Sequence, residues 1–264
     1  MKWSKAMDKV QQRRDRIVEM LKAAPMVTIA ELANCQHVTT ETIRKDLRAL
    51  EKQGVITKIH GGAALTQKRI APFPYYMRES VDREEKTRIA GAAYALINKG
   101  DSLLIESSTT TVLLCQEMLQ HPDILQTLTI ITNSLYVSQV LENGALCKDL
   151  FFLGGWMFPT ENATKGSYTE KSLSLFRVDK AFLGGAALDG DLNITAYYEE
   201  DMYFQRKAIE SAKQSIVVLN SRKYHAQGLF HVCPLDQIDC LITDSGLPKS
   251  VIKAIRAQVE CIVV

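Results

Sequence analysis

Seven short apolar runs between residue 100 and the end of the chain most constrain its fold. Most are β-branched or aromatic and lack polar alternation, as is typical of parallel strands buried on both faces. Helical stretches fit between them, notably Thr110–Leu119, Leu135–Leu141, Asp201–Lys213 and Pro248–Arg256. This order predicts an open α/β sheet that binds ligands beyond the carboxyl ends of its strands. The runs are Leu103–Ile105, Leu128–Thr132, Leu150–Leu153, Lys180–Leu183, Ser215–Leu219, Cys240–Thr243 and Cys261–Val264.

The first 60 residues show a different pattern, that of three helices followed by a hairpin. Helical periodicity over Met7–Ala24 ends at Pro25, and Thr28 with Glu31 forms a capping box that opens a short second helix. Thr39 or Thr40 caps a third helix that runs to about Gln53. Alternation over 55–60, the Gly61-Gly62 turn and a return over 63–65 predict a hairpin. The combination predicts a winged helix-turn-helix.

The charge is divided unevenly between these regions. Residues 1–70 carry 14 Lys and Arg against 7 Asp and Glu, whereas the remainder carries 18 against 23, so +7 precedes −5. A basic N-terminal part favours a polyanion such as DNA, with a solvated charged face as the alternative. The third helix places basic side chains where a helix in the major groove presents its first turns. The predicted DNA-binding residues are Thr28, Thr39, Thr40, Thr42, Arg44, Lys45, Arg48, Lys58, His60 and Gly61.

Motifs over about fifty residues resemble the DeoR family of bacterial transcriptional regulators. They are Ile29–Ala33, then Val38–Leu47, then Leu50 and Gly54, and finally His60-Gly61-Gly62-Ala63. The family pattern there runs E-L-A, V-S-x-x-T-I-R-R-D-L, L-x-x-x-G and H-G-G-A, with Thr39 and Lys45 as mild changes in this chain. The resemblance implies binding to a double-stranded DNA operator and, usually, repression of a catabolic operon.

The sequence predicts two domains joined by a linker. Residues 1–66 form the winged helix-turn-helix, residues 67–79 with two prolines form the linker, and residues 80–264 form an α/β effector-sensing domain that starts with a helix over 80–97. The fold class is therefore α/β with an N-terminal winged helix-turn-helix.

Two strand ends in the second domain are rich in hydroxyl and amide groups. Glu106–Thr111 follows one predicted strand and Thr132–Ser134 ends the next, and each leads into a helix. Free amides and hydroxyls at helix N-termini bind anions such as phosphate. The alternative is that these residues are ordinary helix caps. The nearby Gly154-Gly155 and Lys165-Gly166 favour a pocket.

The DeoR resemblance continues in this domain. DeoR-type sensor domains look like ribose-phosphate isomerases and hold a phosphosugar with a D-x-G-[ST]-T loop. This chain keeps T-N-S over 132–134, L-G-G over 153–155, Gly166, D-K-A-F over 179–182, and Ser221 with Lys223. The resemblance implies a phosphorylated sugar or polyol as effector. The predicted effector-binding residues are Glu106, Ser107, Ser108, Thr109, Thr110, Thr111, Asn133, Ser134, Gly154, Gly155, Lys165, Gly166 and Lys223.

The chain departs from the family pattern at four positions. Glu106 stands where Asp is usual, Ser108 where the loop glycine is expected, Gln205 where the helix usually carries a lysine, and Asn220 where a late Asp is usual. A side chain in place of glycine adds a Cβ near the expected phosphate. Loss of the lysine removes a mobile cation.

The alternative function is a sugar-phosphate isomerase-like enzyme that carries a DNA-binding domain. Such chemistry needs a carboxylate base, for which Glu106, Glu199, Glu200 and Asp201 are the candidates. The substituted Asp and Lys positions argue against retained catalysis, so we expect a regulator and no enzyme. Histidines 37, 60, 121, 225 and 231 form no H-E-x-x-H, and no Walker or G-x-G-x-x-G loop occurs, so no metal or cofactor is expected.

Six scattered cysteines, at 35, 115, 147, 233, 240 and 261, lack metal or disulfide spacing. Together with a charged start that lacks a signal-peptide region, they lead us to expect reduced thiols and a cytoplasmic location. No apolar run reaches the roughly 20 residues of a membrane span. We expect a homo-oligomer, because paired DNA-binding heads gain affinity on repeated half-sites.

Overall fold

The chain forms two compact units, an N-terminal unit of residues 1–69 and a C-terminal unit of residues 70–264. Among the residues described, none of the helices is both long and apolar enough to cross a bilayer. The computed structural model describes residues 2–23, 27–52, 55–59, 62–65, 75–144, 147–185, 187–226 and 228–264.

The N-terminal unit has the predicted three helices and hairpin. A short strand that precedes the second helix pairs with the last strand of the hairpin. The result is a three-stranded antiparallel sheet with the last hairpin strand in the middle. The first helix begins at residue 2 instead of residue 7. Ile17, Leu32, Ile43 and Leu47, each at most 1% exposed, form the centre of its core. The elements are α1 (Lys2–Ala23), β1 (Val27–Thr28), α2 (Ile29–Gln36), α3 (Thr40–Lys52), β2 (Ile56–Ile59) and β3 (Gly62–Leu65).

The C-terminal unit alternates strands and helices as predicted. Its helices are α4 (Tyr75–Arg78), α5 (Arg83–Tyr94), α6 (Thr109–Met118), α7 (Pro122–Leu125), α8 (Leu135–Gly144), α9 (Ser167–Leu173), α10 (Glu199–Ser211) and α11 (Lys249–Arg256). Its strands are β4 (Ser102–Ile105), β5 (Thr129–Thr132), β6 (Asp149–Phe152), β7 (Trp156–Phe158), β8 (Ala163–Lys165), β9 (Val178–Leu183), β10 (Ala187–Leu188), β11 (Asn193–Ala196), β12 (Ala212–Val218), β13 (Phe230–Pro234), β14 (Cys240–Thr243) and β15 (Glu260–Val263).

All seven predicted runs lie in one parallel sheet. Its strand order is β15-β14-β12-β9-β4-β5-β6. Alternate residues of its central strands face two apolar cores, as Leu103 and Leu104 do, whereas the edge strand β6 exposes Phe151 and Phe152. From β4 the chain first moves outward to β5 and β6, and then returns to the other side of β4 to form β9. The strand order therefore reverses between β4 and β9, the position where open α/β sheets leave a crevice for ligands.

Three features were missing from the sequence interpretation. The β7–β8 hairpin and the antiparallel β10–β11–β13 sheet consist of strands of two to five residues, whose patterns are too short to stand out. Helix α4 lies inside the predicted linker, just after the second proline. The predicted helix over 201–213 ends two residues early, because Ala212 already pairs with Val178 in the sheet.

Candidate functional sites

The exposed face of α3 carries the predicted DNA-contacting residues. Thr40, Arg44, Lys45 and Arg48 are all exposed. The opposite face buries Ile43, Leu47 and Leu50, which are at most 3% exposed. This division leaves a basic face free to enter a major groove, in the manner of a recognition helix.

Two of the predicted DNA-binding threonines, Thr28 and Thr39, cap helices, and a third, Thr42, is the partner of the Thr39 cap. The Thr28 hydroxyl accepts a hydrogen bond from Glu31 N at 3.1 Å, and the Glu31 carboxylate accepts from Thr28 N at 2.8 Å, which is the predicted capping box. Thr39 Oγ1 lies 3.3 Å from Thr42 N and 3.0 Å from the Thr42 hydroxyl. These contacts fix the first turns of α2 and α3, so the three hydroxyls have a structural role whether or not they meet DNA.

Asp46 is a residue that sequence analysis missed. It is 2% exposed and lies on α3, where its carboxylate accepts from Arg13 Nε at 2.5 Å and from Arg14 Nε at 3.1 Å. The two arginines thereby tie α1 to α3. Helical periodicity places the arginines away from the apolar face, but no local signal links them to a carboxylate more than thirty residues along the chain.

The hairpin supplies the remaining predicted DNA contacts. Lys58 lies in β2, where its backbone is paired with Ala63 of β3. The Lys58 side chain lies outside the described part of the structure, as do His60 and Gly61. Their contacts with DNA stay predictions.

Glu106 lies at the carboxyl end of β4, beside the crevice where the strand order reverses. It is 5% exposed, and its two carboxylate oxygens accept from Gln205 Nε2 at 2.9 Å and from Gly184 N at 2.8 Å. Burial, and then the nearby Asp201 carboxylate, raise the pKa of Glu106 to about 8. Gln205 thus gives Glu106 a neutral partner, and no described lysine or arginine pairs directly with the acid.

Ser108 is the N-cap of α6. Its hydroxyl accepts from Thr111 N at 3.1 Å, and the Thr111 hydroxyl in return accepts from Ser108 N, also at 3.1 Å. The backbone at Ser108 is extended, with φ −152°, so this position does not require glycine. The Ser108 side chain packs on Gly184, where an added Cβ would come within 2.3 Å of it. Ser108 and Thr111 therefore cap α6, and their contact with an effector stays a prediction.

The rest of this loop keeps groups available for a ligand. Thr109 and Thr110 begin α6, and no described residue hydrogen-bonds to their amide nitrogens or hydroxyls. Ser107 N donates to Asn133 Oδ1 at 3.1 Å, and the Ser107 hydroxyl donates to the Glu161 carbonyl at 3.2 Å. The amides of the first helical turn are thus the part of the loop suited to an anion.

The second loop holds this arrangement in place. Asn133 is 3% exposed and its amide donates to the Thr164 carbonyl at 3.0 Å, so one side chain links the ends of β4, β5 and β8. The buried Ser134 hydroxyl accepts from Val137 N at 3.3 Å at the start of α8. Both residues support the loops from within.

Two of the three predicted glycines are required by the backbone around β7 and β8. Gly155 (φ +152°) has no room for a side chain, because a Cβ there would lie 2.0 Å from the Thr169 hydroxyl, and this hydroxyl donates to the Gly154 carbonyl at 2.8 Å. Gly166 (φ +87°) precedes α9 and lies under the Trp156 ring. Both positions favour glycine, whereas a Cβ at Gly154 would meet no described atom within 4 Å.

The two predicted lysines differ in their surroundings. Lys165 is buried, and its Nζ lies 2.5 Å from Asp201 Oδ1 and 5.0 Å from the ring centres of Phe158 and Tyr198. Lys223 is partly buried, and its Nζ lies 6.0 Å from the Tyr197 ring centre. Burial, together with Arg78 and Lys86, lowers the pKa of Lys223 to about 7. Lys165 is thus neutralised by its neighbour, whereas Lys223 lies among other cations.

Comparison with known proteins agrees with both units. Residues 13–69 match the model of the DeoR-like helix-turn-helix domain, and residues 81–245 match that of the DeoR C-terminal sensor domain. The chain belongs to the DeoR family. The prediction of a DNA-binding transcriptional regulator, made from motifs in the first 63 residues, is thereby confirmed.

Relatives in the family match over nearly their whole length. A putative aga operon transcriptional repressor of Escherichia coli O157:H7 is 30% identical over 96% of this chain and 93% of the relative. The glycerol-3-phosphate regulon repressor of Escherichia coli K12 is 29% identical over 92% of this chain and 94% of the relative. Among solved structures, a ribose 5-phosphate isomerase A of Methanocaldococcus jannaschii aligns at 15% identity with a TM-score of 0.40, over 54% of this chain and 55% of that one.

Proposed function

We propose that this DeoR-family regulator represses a carbohydrate catabolic operon and is controlled by a phosphorylated sugar or polyol. The observation that carries the proposal is the start of α6, where Thr109 and Thr110 offer amides and hydroxyls beside the β4–β9 crevice. A helix N-terminus at a strand-order reversal favours a bound phosphate. The names of two relatives, repressors of an aga operon and of a glycerol-3-phosphate regulon, support the same class of effector.

On the DNA side, the proposed partner is a double-stranded operator read by α3. Arg44, Lys45 and Arg48 extend from one exposed face, while Asp46 anchors the opposite side of the helix to α1. We propose a homo-oligomer in the cytoplasm, whose paired heads bind repeated half-sites. Light scattering of the full chain, alone and with selected DNA, would measure the number of copies. A single copy on each DNA duplex would refute the oligomer.

A ligand screen on the full chain tests the effector. A compound that binds only the folded state raises the unfolding midpoint with concentration. The panel pairs ribose 5-phosphate, glycerol 3-phosphate and galactosamine 6-phosphate with their unphosphorylated forms. A rise with a phosphorylated member alone supports the proposal. No rise with any phosphorylated compound, or equal rises within each pair, would overturn the effector class and leave the DNA-binding assignment untouched.

We propose that the C-terminal unit is not an enzyme. Both oxygens of Glu106, the acid best placed as a base, accept hydrogen bonds from the protein, and Asp201 pairs with Lys165. Conversion of ribose 5-phosphate to ribulose 5-phosphate by the full chain is the decisive assay. Turnover that disappears in Glu106→Gln would establish the isomerase alternative instead.

A further inference from the structure

Residues 75–86 are the first described part of the C-terminal unit and follow the chain as it leaves the DNA-binding unit. This 75–86 segment is attached to the carboxyl edge of the sheet. Tyr75 N donates to the Thr160 carbonyl at 2.8 Å, and the buried Tyr75 ring stacks on Tyr136 with their centres 4.2 Å apart. The segment is thus in contact with the same edge as the candidate effector loops.

An ion pair connects the segment to the effector loop. Arg78 pairs with Glu161, whose side chain is only 9% exposed. The backbone carbonyl of Glu161 accepts from the hydroxyl of Ser107, one residue before the N-cap of α6. Glu161 is therefore a direct neighbour of both the 75–86 segment and the loop proposed to hold the anion.

Several cationic side chains lie near the Arg78–Glu161 ion pair. Lys86 is 6% exposed, and its Nζ donates to the carbonyls of Arg78 and Val81, both at 2.6 Å. Burial, helped by Arg78 and Arg222, lowers the pKa of Lys86 to about 8 against the opposing effect of Asp82. Arg78 and Lys86 act on Lys223 in the same direction, while Glu161 and Asp82 oppose them. These side chains therefore lie within electrostatic reach of one another, and an anion among them relieves their repulsion.

The other end of the segment is tied to the loop after β12. Asp82 adopts a left-handed backbone conformation (φ +52°), and its carboxylate accepts from Asn220 Nδ2 at 2.7 Å and from Arg222 Nη1 at 2.8 Å. Lys223 follows directly on this loop. The segment therefore has two attachments, at Tyr75 and at Asp82, close in the chain to Arg78 and Lys86.

We propose that Arg78 couples the effector site to the 75–86 segment by exchanging its partner. In the structure Arg78 pairs with Glu161, and when an effector binds, its anionic group takes the place of the Glu161 carboxylate. The exchange loosens the segment that follows the DNA-binding unit in the chain. The inference rests on the proposed anionic effector, and it gives occupancy an effect on this segment, because a ligand shifts a conformational equilibrium only through contacts that differ between the two states.

Competition between Glu161 and the anion gives a direct test, with inorganic phosphate as the probe. Phosphate affinity of the full chain is measured by thermal shift for the wild type, Glu161→Gln and Arg78→Gln. Removal of the competing carboxylate is expected to tighten phosphate binding at least fivefold, and loss of Arg78 to weaken it at least fivefold. Glu84→Gln is the control, because it removes one exposed negative charge at the start of α5 and is expected to leave affinity unchanged.

Hydrogen exchange of the same proteins tests the coupling. We expect faster exchange of the 75–86 amides in wild type with phosphate and in Glu161→Gln without it, while β9 and β12 keep their protection. Phosphate binding in Glu161→Gln that is equal to or weaker than in the wild type, absence of binding included, overturns the inference. A phosphosugar that binds the wild type, with an affinity unchanged in both variants, overturns the coupling but leaves the proposed effector class intact.

Discussion

The cations proposed to meet DNA and the cations near the candidate effector loops are placed in opposite ways. On α3, Arg44, Lys45 and Arg48 extend into solvent from a helix whose other face is apolar. At the carboxyl edge of the large sheet, Lys86 and Lys165 are buried and held by carbonyls or a carboxylate of the same unit. The first arrangement leaves positive charge available to bind a large polyanion. The second sets the electrostatic potential that a small ligand meets at the edge of the sheet.

The largest effect is expected from Lys165→Met. The substitution leaves Asp201 without its cation beside Glu106, which already has its pKa raised in part by Asp201. Removing one partner of a buried ion pair costs about 3 kcal/mol in the free energy of unfolding. Hydrogen exchange resolved by peptide would report the loss in the C-terminal unit alone. Lys171→Met, on the exposed side of α9, is the control, and equal losses in both variants would contradict the contrast between the units.

The second effect concerns pH. The pKa of Glu106 is about 8 in the folded protein, against its ordinary value of 4.5 in an unfolded chain. The folded state therefore holds a proton that the unfolded chain releases. Its contribution to the free energy of unfolding therefore falls as pH rises, by about 2 kcal/mol between pH 5 and 7. Lys223, whose pKa is lowered to about 7, opposes this only slightly, because it stays mostly protonated in both states until pH 7 is approached. Urea unfolding of Glu106→Gln should show a flatter pH dependence than the wild type over this interval, and matching curves would exclude the buried acid as its source.

A third effect belongs to the exposed face of α3. Arg44→Ala removes a cation from the predicted recognition surface and should weaken operator binding by about 2 kcal/mol, or roughly 30-fold. Its stability should change by less than about 0.5 kcal/mol, as is usual for an exposed side chain. Filter binding or fluorescence anisotropy with DNA selected by the full chain measures the first quantity. Arg16→Ala, exposed on α1, should leave affinity nearly unchanged, and a similar loss there would remove the special role of α3.

The smallest effect is shared by the two units. Thr28 and Ser108 form capping boxes at α2 and α6, and each substitution to alanine should reduce the free energy of unfolding by about 1 kcal/mol. Phosphate affinity is expected to survive Ser108→Ala, because the hydroxyl is already engaged by Thr111 N. A large loss of phosphate binding together with unchanged stability would show that Ser108 is primarily a ligand contact.

The sequence predicts the repetitive parts of this molecule well, for a physical reason. A buried parallel strand such as Leu103–Ile105 is apolar over successive residues, and a helix such as α3 is apolar every three to four residues. Both signals are local and remain visible in a single chain. All seven strands of the large sheet and the basic face of α3 follow from them.

The parts that sequence analysis missed depend on distant partners. Arg78 and Lys86 look like ordinary solvated charges, because the residue that pairs with Arg78 is Glu161, far along the chain. Asp46 on α3 likewise gives no local sign of its pairing with Arg13. In the sequence, Asn220 stands out only as a departure from the family pattern. In the structure, its side-chain amide donates a hydrogen bond to the Asp82 carboxylate. Such contacts arise from the order of strands and helices in space, which no local spacing encodes.

The position of β4 has a consequence for how the protein is made. β4 is the first strand of the large sheet to be synthesised, yet it lies between β5 and β9. Its Ile105 pairs with Phe182 of β9 only after β5, β6, β7 and β8 have been translated. Pairing over such sequence distances is slow. The N-terminal unit is built from local contacts, so we expect it to fold on the ribosome first. One edge of β4 remains unpaired until β9 has been synthesised. During that interval the nascent regulator has a formed DNA-reading head and an incomplete sensor.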